Sequence, residues 1–288
     1  SSGYSKAYIQ SGNVRNEGIE MALGYSDKWN GFAWDSHLTL SWNKNKIIKL
    51  TEGSINPMTG EPITKDNYDM GQLGNLDARV KLYKGGSIGD VYATHRIKRD
   101  GNGNVFVSQE GKIEIESVDE FKLGSILPKT NMGWSNNFSY KGVNLGMTLT
   151  ARFGGIALSG TQSVLDQYGV SQVTANYRDT GGVPINHGYV DTEKYFDTVK
   201  GYAAYYTYSA TNVRLAELSL SYTLPKEWFR DKLRMTVGLV GKNLWMIYCK
   251  APFDPEATAS TQSNYYQSYD YFMQPTTRNL GFSVKLNF

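Results

Sequence analysis

The last ten residues alternate in polarity. Leu280, Phe282, Val284, Leu286 and Phe288 take the even positions, with Asn279, Gly281, Ser283, Lys285 and Asn287 between them. A β-strand sends successive side chains to opposite faces, so this segment has one apolar face and one wet face. The pattern recurs upstream. Ile19, Met21, Leu23 and Tyr25 alternate with Glu20, Ala22 and Gly24. Phe32, Trp34, Leu38, Leu40 and Trp42 oppose Asp35, His37, Thr39 and Ser41. Val143, Leu145, Met147, Leu149, Ala151 and Phe153 oppose Asn144, Gly146, Thr148, Thr150 and Arg152. Ala216, Leu218, Leu220, Tyr222 and Leu224 oppose Glu217, Ser219, Ser221 and Thr223, and Leu233, Met235, Val237 and Leu239 oppose Arg234, Thr236, Gly238 and Val240. Weaker strands are expected at about 78–85, 89–99 and 131–141, giving about nine strands in all. Segments of about ten residues cross a bilayer when tilted.

The connections alternate as well. Short turns are expected at Ser26 to Gly31, Gly85 to Asp90, Lys141-Gly142 and Pro225 to Asp231, and long links at 47–77, 100–130, 154–210 and 249–278. Membrane barrels keep short turns on the periplasmic rim and long loops on the other. Phe288 then lies at the periplasmic rim. Complete bacterial barrels have an even strand number. An odd count therefore leads us to expect a longer N-terminal portion outside this chain, with 1–288 forming one C-terminal part of a barrel. Ser1 to Tyr4 do not read as a signal peptide.

Composition agrees with a barrel and excludes several alternatives. Apolar residues make up 40% of the 288 residues, and mean hydropathy is −0.45. No apolar run approaches the roughly 20 residues of a membrane helix. The 21 tyrosines and 30 glycines suit strands, turns and interfacial girdles. A net charge of +3 is too small to indicate nucleic acid. The single cysteine, Cys249, forms no internal disulfide. His37, His95 and His187 lack metal-ligand spacing, and no nucleophile motif is present. Neither a metal, a cofactor nor an enzymatic activity is expected.

Several runs then resemble one family. They are Gly12-Asn13-Val14-Arg15-Asn16-Glu17-Gly18-Ile19-Glu20, Ser41-Trp42-Asn43-Lys44-Asn45-Lys46-Ile47, and Lys84-Gly85-Gly86-Ser87-Ile88-Gly89-Asp90-Val91-Tyr92. Leu123-Gly124-Ser125-Ile126-Leu127-Pro128-Lys129-Thr130 and Asn137-Phe138-Ser139-Tyr140-Lys141 follow. The strongest block is Val213-Arg214-Leu215-Ala216-Glu217-Leu218-Ser219-Leu220-Ser221-Tyr222-Thr223-Leu224-Pro225. Gly241-Lys242-Asn243-Leu244, Phe253-Asp254-Pro255-Glu256 and the last strand complete the series. In order and spacing they resemble the SusC/RagA-type TonB-dependent outer-membrane transporters of gut and oral Bacteroidetes, with Ser87 in place of a usual proline. The resemblance implies an all-β antiparallel transmembrane barrel of about 22 strands with an N-terminal plug. It implies a SusD-like surface lipoprotein as lid, and oligosaccharide or peptide as cargo. TonB would supply energy through the N-terminal part that this chain lacks.

The candidate contacts lie in aromatic links. Phe196, Tyr202, Tyr205, Tyr206 and Tyr208 cluster in one, and Tyr265, Tyr266, Tyr269, Tyr271 and Phe272 in another. Aromatic faces stack on sugar rings, and tyrosine hydroxyls add polar contacts. Cargo contact, lid contact, loop packing and an outer girdle all fit this composition. Arg152, Glu217 and Arg234 sit on polar strand faces, as path-lining or salt-bridging residues. Phe288 is a terminal aromatic, which the resemblance makes an assembly signal and which also suits a girdle. Asp100-Gly101-Asn102-Gly103-Asn104 has closely spaced oxygens, but Val105 and Gly111 break a calcium-loop pattern, and Asn-Gly favours a hairpin. A soluble carbohydrate-binding β-sandwich is the competing architecture. It would need a second sheet over the apolar strand faces.

Overall fold

The computed structural model describes residues 11–230, 232–257 and 267–288. The chain opens with two long strands, β1 (Asn13–Trp29) and β2 (Phe32–Lys49). Four shorter strands follow: β3 (Asn67–Gln72), β4 (Arg79–Tyr83), β5 (Asp90–Ile97) and β6 (Ile115–Ser125). Next come the paired strands β7 (Thr130–Tyr140) and β8 (Val143–Phe153), then β9 (Ile156–Ser159). Helices α1 (Gly160–Gln167) and α2 (Gln172–Asp179) precede the small hairpin β10 (Val183–Ile185) and β11 (Gly188–Val190). Helix α3 (Thr192–Val199), β12 (Thr207–Ser209), β13 (Asn212–Thr223), β14 (Arg234–Cys249), β15 (Tyr269–Asp270) and β16 (Asn279–Asn287) complete the order.

Seven strands form one antiparallel wall in the order β1-β2-β7-β8-β13-β14-β16. The hydrophobic pattern fixes its register. Leu145 pairs with Phe138 on one side and Leu220 on the other, Leu220 with Leu239, and Leu239 with Phe282. A one-residue slip would move every one of these side chains to the other face. The two tightest turns are Asn30-Gly31 and Lys141-Gly142, all four residues at positive φ. That is the backbone of the two-residue hairpin turn whose twist matches its strands. The first turn is tighter than the expected Ser26 to Gly31, because β1 continues to Trp29.

The expected nine wall strands become seven. The segments expected at 78–85 and 89–99 are β4 and β5, which belong to a separate four-stranded sheet, β3-β4-β5-β6. They span only 5 and 8 residues. Their apolar side chains Val80, Val91 and Ala93 are fully buried in a compact core. The turn at Gly85 to Asp90 is accordingly not at the short-turn rim. The Gly85 amide donates to the Ile47 carbonyl at 2.7 Å, near the far end of β2.

That core lies wholly outside the wall strands. It gathers Val80 and Val91 from the four-stranded sheet, Leu158 from β9, Phe196 and Val199 from α3, and Leu73, Leu76 and Tyr206 from the links between elements. The 154–210 link is therefore folded. Ser159, Ser171 and Asp191 cap its three helices through side-chain oxygens, the expected chemistry for orphaned first-turn amides. Long-link residues also bury Ile47, Asn212 and Arg214 at one end of the wall's polar face.

Candidate functional site

The wall presents two chemically distinct faces. On one side lie Met21, Leu23, Leu38, Leu40, Leu145, Leu149, Leu218, Leu220, Leu239 and Phe282, brought into line by the register. This face is uncovered: Leu220 is 49% exposed, Leu239 64% and Phe282 82%. The sheet that a sandwich would place here is elsewhere. Aromatic side chains flank the aliphatic zone. Trp29, Phe32, Trp34, Phe138 and Tyr140 pack near the short turns, with Trp29–Phe32 centroids 4.8 Å apart and Trp34 stacked on Phe138 at 6.1 Å. Trp42, Phe153 and Trp245 share the face toward the long links. Phe32 and Trp42 are ten residues apart, about 33 Å along a strand and about 23 Å across a bilayer at a 45° tilt.

Of the polar side chains on this face, Asn136 and Ser36, paired across β7 and β2, have indole partners. Trp34 Nε1 donates to Asn136 Oδ1 at 3.1 Å, and Trp134 Nε1 donates to Ser36 Oγ at 3.0 Å. A bulge in β13 also preserves the face. The register shifts between Leu215 and Glu217, so Leu215 and Leu218 fall on the same side although three residues apart.

The opposite face carries hydroxyls, amides and charges. Ser135 and Thr148 hydroxyls lie 3.1 Å apart, and Ser26 donates to Asp35 at 2.5 Å. Arg152, Glu217 and Arg234 all sit on this face, but at separate levels. Arg152 Nε reaches Asn131 Oδ1 at 3.5 Å near the long-link end. Glu217 faces Lys242 Nζ at 3.7 Å. Arg234 is exposed at the short-turn end, close to Phe288.

The tyrosines divide by burial. Tyr206 is 0% exposed and Tyr269 2%, so neither offers a ring face to a ligand. Tyr269 Oη donates to Asn75 Oδ1 at 2.5 Å and accepts from the Asn75 amide at 3.1 Å. It lies so close to Gly160 that a Cβ there would stand 2.2 Å from the hydroxyl. Tyr206 is buried beside Asp166 with no well-formed hydrogen bond to its hydroxyl. Tyr208 is half-buried against Phe253, centroids 5.8 Å apart. Tyr271 is exposed, stacked on Tyr269 at 6.1 Å. Tyr265 and Tyr266 lie outside the described residues.

Tyr202 and Tyr205 meet in a cleft of about 560 Å³, together with Tyr195, Arg96, Arg99 and Glu116. Tyr195 comes from α3, and the two arginines and Glu116 from β5, the following hairpin and β6. Arg96 Nε donates to Glu116 Oε1 at 2.6 Å, and Arg99 Nη1 to the Gly103 carbonyl at 2.7 Å. Burial raises the pKa of Tyr205, with the Tyr195 hydroxyl adding to it, and burial also raises Tyr195. Both phenols stay neutral and can donate as well as accept. The cleft can stack a planar or pyranose ring and hydrogen-bond its substituents. Tyr195, Arg96 and Arg99 were not among the sequence candidates. The Asp191 cap followed by Tyr195, Phe196 and Val199 at helical spacing was the signal for α3.

Asp100 does not read as a cation ligand. Its carboxylate accepts from the Asn102 and Asn104 amides at 2.8 and 2.9 Å, and Arg99 bridges Val105 as a hairpin.

The motif runs meet at the junction of wall and long links. Arg214 donates through Nη1 and Nη2 to both oxygens of Asp254, at 3.0 and 2.7 Å. Its side chain is 10% exposed and that of Asp254 8%. Asn212 Nδ2 reaches Glu256 Oε1 at 3.1 Å. Burial works against the Asp254 carboxylate, but Arg214 and the Glu256 amide together hold its pKa below the usual range. Asn45 Oδ1 likewise accepts from the Ile88 amide at 2.8 Å and Ser87 Oγ at 3.2 Å. Asp90 is fully buried and binds Lys122 Nζ at 2.6 Å.

No family model matches the chain. It is 26% identical over 303 residues to TonB-dependent receptor P3 of Formosa agariphila, covering 100% of this chain and 30% of that protein. It is 22% identical over 268 residues to TonB-dependent receptor SusC of Bacteroides thetaiotaomicron, covering 88% of this chain and 25% of that protein. The chain thus spans less than a third of the length of these relatives. The fold matches the RagAB peptide importer in its open-open state, with a TM-score of 0.67 at 16% identity over 96% of this chain and 29% of that one. The closed-closed state gives 0.63 over 99% and 30%. These likenesses of sequence and fold support a SusC/RagA-type TonB-dependent transporter, over the part of such a protein that the chain spans.

Proposed function

We propose that the chain forms part of an outer-membrane active transporter of the SusC type. The seven-stranded wall lies in the bilayer with its apolar face to lipid and its polar face to a lumen. The long links lie on the cell surface and the short turns in the periplasm. A SusD-like lipoprotein covers the long-link side, TonB supplies energy through parts of the protein beyond this chain, and oligosaccharides or peptides are the cargo. The observation that carries this reading is the uncovered aliphatic face, flanked by aromatic rings at about the spacing of a bilayer's hydrocarbon core. A soluble sugar-binding sandwich would leave that face without a partner. Phe288 closes the last wall strand and acts in assembly.

Among the tyrosine candidates, Tyr202 and Tyr205 serve as cargo or lid contacts, a reading that their shared cleft supports, with Tyr208 and Tyr271 beside the last link. Uptake of labelled oligosaccharides and peptides into cells carrying the whole protein tests the function. Uptake should cease when TonB is deleted. Uptake that persists without TonB would make the protein a passive pore.

A further inference from the structure

A charged step lies directly above the aromatic belt on the wall's apolar face. By register, Trp42 shares its face with Ile19, Lys44 with Glu17, and Lys46 with Arg15. Lys44 follows Trp42 by two residues and Lys46 by four, about 7 and 13 Å along the strand toward the long links. Both lysines are exposed, and neither has an ion-pair partner among the described residues. Glu17 stands opposite Lys44 in register, but its carboxylate is held by Arg15. The step therefore carries a formal excess of two positive charges. Apart from these two strands, the same face is aliphatic or aromatic at the neighbouring wall positions Thr130, Met132, Phe153 and Ala151, with one hydroxyl.

Charge at this place is unexpected for a face that is otherwise apolar, and its position is specific. A cation above an interfacial tryptophan sits at headgroup depth, with its methylenes over the apolar zone. The geometry points to a binding site for the phosphate of an anionic lipid headgroup, formed by Lys44, Lys46 and Arg15. The inference rests on the membrane orientation proposed above. With the long links outside the cell, the site faces the outer leaflet, and its occupant is the phosphorylated glycolipid of that leaflet, lipid A.

Each basic residue near an anionic lipid surface contributes enough that removing both lysines should weaken lipid retention by about 30-fold. The test uses the protein at its full natural length, purified from membranes and exchanged into nanodiscs of phosphatidylcholine doped with lipid A. Native mass spectrometry reads the lipid retained. The wild type should retain phosphorylated lipid A over its dephosphorylated form and over phosphatidylglycerol. Lys44→Ala/Lys46→Ala should lose that preference, and Lys285→Gln, on the opposite face, should keep it. Equal retention of the phosphorylated and dephosphorylated lipids by the wild type would overturn the proposal. So would equal retention of phosphatidylglycerol, an unaffected double variant, or an equal loss in Lys285→Gln. TonB-dependent uptake is measured on the same variants. Intact uptake with no phosphate preference removes this inference alone, whereas failure of the protein to enter membranes removes the transport reading beneath it.

Discussion

Burial decides what each tyrosine can do. Tyr206→Ala removes a fully buried ring from the long-link core, where large-to-small changes at aromatic positions cost about 3–5 kcal/mol. Tyr202→Ala, at the half-buried rim of the cleft, should leave folding nearly intact and weaken cargo or lid binding. Limited proteolysis of the long links separates the two: early cleavage is expected for Tyr206→Ala and wild-type resistance for Tyr202→Ala. Asp166 gives a pH-dependent counterpart. Burial raises its pKa, against hydrogen bonds from Ser171 and Gln162 that lower it. A carboxyl with a raised folded pKa stabilises the fold at low pH, and that contribution is lost as pH rises through the folded value. Asp166→Asn keeps the oxygen that accepts from Ser171 and Gln162, so it should stabilise the long-link unit at neutral pH and gain little at acidic pH. Hydrogen exchange of α1 and α2 at both pH values reads the difference. Aromatic richness was legible in the sequence, but which rings are buried was not. Burial of Tyr269 depends on Gly74, Asn75 and Gly160, far from it along the chain.

Strands were legible wherever their period was regular and their length sufficient. β8, β13, β14 and β16 follow the alternation because each needs one face apolar throughout. β4 and β5 carry similar residues but stop too early to join the wall. Alternation alone does not say which sheet a short strand joins. The long links read as irregular because their helices are only eight residues each, short for a periodic signal. The motif runs also acquire a physical meaning at this scale. Arg214 and Asp254 stand 40 residues apart in sequence and form one buried bidentate pair that fastens the last link to β13. Breaking a buried pair costs up to about 3–5 kcal/mol, and without Asp254 the buried Arg214 keeps only the more exposed Glu256, 3.5 Å away. Asp254→Ala should therefore release residues 250–257, seen as faster hydrogen exchange there, with the wall strands unchanged. On the wall itself, Leu220→Arg on the apolar face should cost about 2–4 kcal/mol near the bilayer midplane. Ser219→Arg on the polar face should be tolerated. The amount of each variant assembled in the outer membrane checks the contrast.

As a whole, the molecule joins one sheet with two unlike faces to a folded unit that closes over one end of the polar face. This division explains why mean hydropathy is low although a whole face is aliphatic: the polar face and the long links outweigh it. Whether the wall faces lipid is tested by scanning β13 in the full-length protein reconstituted in bilayers, with Cys249→Ser as background. Single cysteines at Leu218, Ser219, Leu220 and Ser221 carry a fluorophore, read against brominated lipid and against a water-soluble quencher. Positions 218 and 220 should be quenched by the lipid and positions 219 and 221 by the aqueous reagent. Equal quenching at all four positions, or lipid quenching at none, would contradict a membrane wall.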